Sequence, residues 1–183
     1  MLCSHILKML GWKISGQYPY HEKKLIIAAA PHTSNWDFPL GVLVRCHLKI
    51  KAKYVGKDSL FKPPLGWIIK RLGGIPVDRS KSNNFVDGVV SIFERREALT
   101  VAFAPEGTRK KVSKFKTGYY YVAKRAKIPI QPMVLDYASK EISFLPLFWP
   151  TTDEESDLQF LENLFIGIRG CNPEKSFKLT EES

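Results

Sequence analysis

A histidine and a carboxylate stand five residues apart in His32-Thr33-Ser34-Asn35-Trp36-Asp37. A neutral imidazole takes a proton from an alcohol near pH 7 as that alcohol attacks a carbonyl. It does so best when a carboxylate holds its other ring nitrogen and supports the imidazolium that forms. On one continuous helix, His32 and Asp37 point away from each other. With His32 in a loop and Asp37 in the first helical turn, they meet. The same residues have a plain structural reading, because Ser34 and Asp37 form a capping box at a helix N-terminus. The two readings are compatible.

Two further clusters carry groups suited to anions. Gly73-Gly74-Ile75-Pro76-Val77-Asp78-Arg79 ends in an arginine, whose rigid fork of donors matches a phosphate. The alternative there is a surface arginine paired with a nearby acid. Phe103-Ala104-Pro105-Glu106-Gly107-Thr108-Arg109 is an apolar run that breaks into a Pro and Gly turn. Such a turn presents backbone N–H groups and side chains to a ligand, or simply ends a strand.

These clusters need elements that bring them together. Apolar runs predict strands over Leu25 to Ala30, Ala52 to Gly56, Ile75 to Asp78, Leu99 to Ala104, Ile130 to Tyr137 and Glu141 to Leu145. Helical spacing predicts helices over Asn35 to His47, partly over Ser59 to Leu72, then over Asn84 to Arg96, Phe115 to Lys127 and Asp153 to Arg169. Strands alternating with helices predict a single α/β domain with a mostly parallel central sheet flanked by helices. Sites in such domains form at the carboxyl ends of the strands, where all three clusters fall. An amphipathic helix is expected over Met1 to Ile14, packed on the domain or lying on a membrane. The expected organisation is a membrane-associating segment at 1–20, the domain at 21–172 and a tail at 173–183.

At 44% apolar and 25% charged residues, 183 residues suffice for a packed core, which excludes a disordered polymer. The net charge of +10 points to a polyanionic partner: nucleic acid, anionic lipid or a phosphorylated small molecule. The run Tyr119-Tyr120-Tyr121 beside basic residues suits base stacking, yet no nucleic-acid-binding signature is evident. Cys3, Cys46 and Cys171 are widely spaced and odd in number, so no disulfide framework or zinc site is expected. Cys46 reads as core packing, and a reducing compartment fits best. No stretch reaches the roughly 18 to 20 apolar residues that span a bilayer.

Taken in order, the clusters resemble the motif blocks of the lysophospholipid acyltransferase family, whose known bacterial members acylate 1-acyl-glycerol 3-phosphate. His32-x4-Asp37 is similar to its catalytic block, which implies His32 as base and Asp37 as orienting carboxylate. Gly73 to Arg79 is similar to the second block and implies phosphate binding by Arg79. Phe103 to Arg109 is similar to the third and implies acceptor binding by Glu106, Gly107, Thr108 and Arg109. Ile128-Pro129-Ile130-Gln131-Pro132 resembles the fourth, linked with acyl-donor or structural roles. The chain departs from the family pattern in Pro31, where an asparagine is common before the histidine, and in the bulky Trp36.

The resemblance implies transfer of a fatty acyl group from acyl-CoA or acyl carrier protein to a lysophospholipid, giving phosphatidate, with no metal, no cofactor and no nucleic-acid partner. Another lyso-lipid acceptor, such as a lyso-aminolipid, and a non-catalytic basic nucleic-acid- or lipid-binding domain are the alternatives. The implied place of work is the cytoplasmic face of a membrane, held peripherally or monotopically. Leu60, Phe61, Leu65, Trp67, Ile68 and Ile69 among Lys57, Lys62, Lys70 and Arg71 suit an anionic interface. Arg109, Lys110, Lys111, Lys114 and Lys116 form a second basic stretch.

Overall fold

The computed structural model describes residues 2–57, 61–64, 66–77 and 82–178. Gly11 decides where the first element ends. Helix α1 covers Leu2–Met9, and Gly11, at φ +79°, turns the chain out of it. Its N–H donates to Lys8 O, while Trp12 N–H reaches back to Leu7 O, both at 2.9 Å. That pair of bonds is a Schellman ending, which glycine accommodates without a Cβ penalty. The expected helix to Ile14 is therefore cut short. Lys13–Gly16 instead forms strand β1, at one edge of the sheet. Leu7 is buried, whereas Leu2, Met9 and Leu10 are exposed.

The remaining elements follow as β2 (Lys24–Ala30), α2 (Asp37–His47), β3 (Lys53–Lys57), α3 (Gly66–Arg71), β4 (Gly74–Val77), α4 (Ser82–Glu94), β5 (Leu99–Phe103), α5 (Gly118–Ala126), β6 (Ile130–Asp136), β7 (Glu141–Phe144) and α6 (Glu154–Asn163). Among the described residues they build the expected α/β domain around one seven-stranded sheet, ordered β1-β7-β6-β2-β5-β3-β4. β2 to β6 run parallel; β7 is antiparallel to β6, and β1 is parallel to β7.

Alternation along the strands loads both faces of the sheet. Ile26, Ala28, Val101 and Phe103 pack with Val89 and Phe93 of α4, Tyr120 of α5 and Leu161 of α6. Leu25, Ile27, Met133 and Leu135 pack on the other face with Leu40 and Val44 of α2 and Leu7 of α1. Each Val, Leu, Ile, Phe or Met side chain among them contributes roughly 1.5–3 kcal/mol on burial. Tyr119 and Tyr120 are core residues, 3% and 0% exposed, which removes the stacking platform from the nucleic-acid reading.

The expectations for the cysteines and for the last helix need correction. Cys46 is exposed rather than packed in the core, and it is bridged to Cys3. The two cysteines are 43 residues apart, but α1 lies on α2, where Ser4 Oγ also bonds His47 Nδ1 at 2.9 Å. Tertiary packing, not spacing, made the bridge, and the cysteines no longer argue for a reducing compartment. The final helix stops at Asn163 instead of Arg169. The chain turns there to bury Phe165 against Phe115 and Phe177, and Gly167 adopts φ +78°. The stretch from Ser59 to Leu72 is partly helical as expected: among its described residues Gly66–Arg71 forms a helix, beyond Pro63 and Pro64. Ser176 and Phe177, within the expected tail, are buried.

Candidate active site

Parallel β2, β5 and β6 end at the same edge of the sheet, so the loops beginning at Pro31, Ala104 and Tyr137 converge there. His32 lies in the loop after β2, and Asp37 opens α2. His32 Nδ1 and Asp37 Oδ2 are 2.9 Å apart. The same Oδ2 accepts the backbone N–H groups of Thr33 and Ser34, each at 2.9 Å. The expected capping box is not completed: α2 has Trp36 at its N-cap with no side-chain cap bond, and only the Ser34 N–H to Asp37 half is present, so Asp37 Oδ2 ties the loop to the histidine instead. Ser34 Oγ accepts from Trp36 N–H at 3.2 Å.

Asp37 is almost fully buried, with 3% of its side chain exposed. Burial alone pushes its carboxyl up. Hydrogen bonds from His32, Tyr137 and the Ser34 amide outweigh that and hold it below its ordinary range. The anionic carboxylate makes Nδ1 the protonated nitrogen of a neutral His32, leaving the lone pair on Nε2. The His32 side chain is 25% exposed, so that lone pair has access to a ligand.

His32 stands where two hollows meet. One is an apolar cavity of about 220 Å³ between the sheet and α2, lined by Ile27, Ala29, Gly41, Val44, Met133 and Leu135 among others. Met133 and Leu135 belong to the strand that the fourth block begins, where Gln131 is fully buried and bonded to Leu145 O. The other is a broad groove whose wall includes Gly107, Thr108, Arg109, Lys110, Lys116 and Lys175.

The residues expected at the site divide accordingly. His32 and Asp37 are joined, and Gly107, Thr108 and Arg109 line the groove with His32. Gly107 has φ +66° and bonds Ala104 O, as the turn requires. Glu106 is placed differently from acceptor contact. It is 3% exposed, lines neither hollow, and its Oε1 accepts the His32 backbone N–H at 2.7 Å. Its Oε2 is buried with no hydrogen-bond partner among the described residues. Arg79 lies outside the described residues.

Burial raises the Glu106 carboxyl above its ordinary range. The folded state then holds this proton more tightly than the unfolded chain. Stability from it is present below the ordinary value of 4.5 and declines as pH rises through the raised one. Glu106→Gln keeps an acceptor for His32 N–H and removes that decline. Glu106→Ala orphans the amide, at a cost of about 1–3 kcal/mol. Thermal unfolding should rank Gln above Ala, and equal midpoints would show that the bond does not hold the loop.

Two contacts had no local signal in the sequence. Tyr137 O–H donates to Asp37 Oδ1 at 2.6 Å across a hundred residues of chain. Asn172 grips Thr33, its backbone N–H donating to Oγ1 at 3.0 Å and its Nδ2 to the carbonyl at 2.7 Å. Only the strand ending at residue 137 hinted at the first, by placing that residue at the carboxyl edge.

The acyltransferase family model matches residues 12–136, which contain the His32–Asp37 pair and the turn from Glu106 to Arg109. The chain belongs to the acyltransferase family. A 1-acyl-sn-glycerol-3-phosphate acyltransferase of Saccharomyces cerevisiae is 34% identical over 152 residues, covering 76% of this chain and 48% of that relative. One from Escherichia coli is 30% identical over 124 residues, 64% of this chain and 49% of its own. The chain thus spans about half the length of these curated relatives. The crystal structure of the 1-acyl-sn-glycerophosphate (LPA) acyltransferase PlsC from Thermotoga maritima superposes with a TM-score of 0.63 at 19% identity, covering 88% of this chain and 73% of that one. That likeness shows that the family fold is shared.

Proposed function

We propose that this chain transfers a fatty acyl group from an acyl thioester, acyl-CoA or acyl carrier protein, to the hydroxyl of 1-acyl-glycerol 3-phosphate, giving phosphatidate. The observation that carries this is the position of His32 at the meeting of an apolar cavity and a basic groove. One hollow suits an acyl chain, the other a phosphorylated head group, and the base stands between them. The curated relatives' shared name, 1-acyl-sn-glycerol-3-phosphate acyltransferase, supports the choice of acceptor.

In the proposed reaction His32 Nε2 takes the acceptor's hydroxyl proton as its oxygen attacks the thioester carbonyl. The tetrahedral intermediate collapses, the C–S bond breaks, and the imidazolium returns the proton to the departing thiolate. Asp37 supports the transient imidazolium. Gly107, Thr108 and Arg109 bind the acceptor phosphate, joined by Arg79. No acyl-enzyme is formed and no cofactor is consumed. Thiol release from acyl-CoA and acyl carrier protein, with a panel of lyso-lipids including a lyso-aminolipid, tests the reading. Release dependent on the lysophosphatidate acceptor supports it; release only with another acceptor moves the assignment; silence throughout removes it.

The apolar cavity gives a sharper expectation. An added Cβ at Gly41, on its wall, meets nothing within 4 Å. Gly41→Phe therefore starts into open space at its Cβ, and with its ring taking up cavity volume it should shift donor preference toward shorter chains. Competition between long and short acyl donors reads this directly, and an unchanged ratio would place the chain elsewhere.

The lipid acceptor calls for contact with a bilayer, proposed here as peripheral. Among the described residues no helix is long and apolar enough to cross a membrane. Trp36 and Trp67 are 70% and 67% exposed, and Leu2 and Met9 more so, with Lys62, Lys70 and Arg71 also at the surface. Exposed tryptophan beside basic residues fits an anionic interface. Sedimentation with anionic vesicles at low salt is expected, and none would count against this surface.

A further inference from the structure

We propose that Tyr137 completes the His32–Asp37 pair as a positioning residue, fixing the carboxylate through its O–H···Oδ1 bond. This rests on the reading of His32 as general base. The two oxygens of Asp37 are loaded unequally. Oδ2 takes His32 Nδ1 and the amides of Thr33 and Ser34, while Oδ1 takes the Tyr137 hydroxyl. Rotation about the Cβ–Cγ bond, a torsion with broad wells, moves both oxygens together, so a donor on Oδ1 adds to the three on Oδ2 in opposing it. The Tyr137 bond braces the carboxylate from its other side and keeps Oδ2 aimed at the imidazole.

Tyr137 is itself held from two sides. Its N–H donates to Arg169 O at 2.8 Å, and its ring meets Trp12 edge-on, centroids 4.8 Å apart. It lines neither hollow, so it reaches substrate only through Asp37. Burial, and the hydrogen bond to the Asp37 carboxylate, push its phenol above the ordinary value, so it remains a donor across the assay range. The titratable groups around the pair are Glu106 beyond β5, Tyr137 beyond β6 and Cys171, which acts on the phenol from the C-terminal segment. Asp37 itself comes from α2.

Tyr137→Phe keeps the ring and removes the donor. Losing a hydrogen bond to a charged group should lower kcat by roughly 10- to 100-fold, with KM unchanged. The acidic limb of kcat/KM should move to higher pH, because a carboxylate relieved of one donor stabilises the imidazolium more. A packing role alone would lower activity equally at every pH. A limb that stays in place therefore overturns the proposal, as does a wild-type kcat. In an Asp37→Asn background, Tyr137→Phe should cost much less than it does in the wild type, and a full additional loss would show that it does not act through Asp37. An NMR titration of the His32 ring, assigned by its disappearance in His32→Ala, needs no substrate. A raised midpoint in Tyr137→Phe without wild-type turnover would uphold the contact and fail the acyl-transfer reading; an unmoved midpoint would fail the contact.

Discussion

His32→Ala is expected to lose on the order of 10²- to 10⁴-fold in turnover while keeping the fold. The imidazole is the group placed to accept a proton where the two hollows meet, and Nδ1 is committed to Asp37. Removing the ring leaves the acceptor hydroxyl with water as its base. The fold should survive because the His32 side chain is partly exposed on the wall of the two hollows. Its backbone amide, which bonds Glu106, is retained in alanine. The measurement is acceptor-dependent thiol release alongside circular dichroism. Wild-type-like turnover with native spectra would require another base.

Asp37→Asn should be nearly as damaging, for a different reason. Three donors converge on Oδ2, so the asparagine amide must place its oxygen there; its NH₂ would face three other N–H groups. Tyr137 can rotate its hydroxyl to accept from that NH₂. The loop therefore survives while the charge is lost. Without the carboxylate the imidazolium has no counter-charge, and a loss on the order of 10²- to 10⁴-fold is expected. The acidic limb of kcat/KM should move to lower pH, opposite to the shift for Tyr137→Phe. Stability has a matching signature. A carboxyl depressed in the folded state stabilises above its ordinary value of 3.8 and loses that contribution as pH falls through the folded value. Acid unfolding of the wild type should show this loss below about pH 4, and Asp37→Asn should lack it. Identical acid profiles would mean the carboxylate is not held as the four bonds suggest.

The sheet and the loop carrying His32 were legible because their causes are local. Leu25 to Ala30 has no reading other than a buried strand, and Pro31 ends it. His32 and Asp37 could meet only across a loop-to-helix junction, and the capping signal at Ser34 marks that junction. What escaped has causes that are not local. The helix predicted through Trp12 and Ile14 ignored Gly11, whose positive φ ends it. The Cys3–Cys46 bridge depends on α1 crossing α2, which no spacing reveals. The family resemblance implied acceptor binding by Glu106, yet its carboxylate turns inward to the His32 amide while Gly107, Thr108 and Arg109 line the groove.

Gly170 sets a limit on how this protein can drift. A Cβ there would lie 2.5 Å from Thr33 Oγ1 and 3.2 Å from the Pro31 ring, inside the loop that carries the histidine. The residue lies far beyond the stretch that identifies the family, and a change to alanine would leave every diagnostic position untouched. Pedigree and competence can therefore part company in this lineage. A descendant that gained one methyl group at this position would still be recognised by its motifs, with Thr33, next to His32, forced to shift.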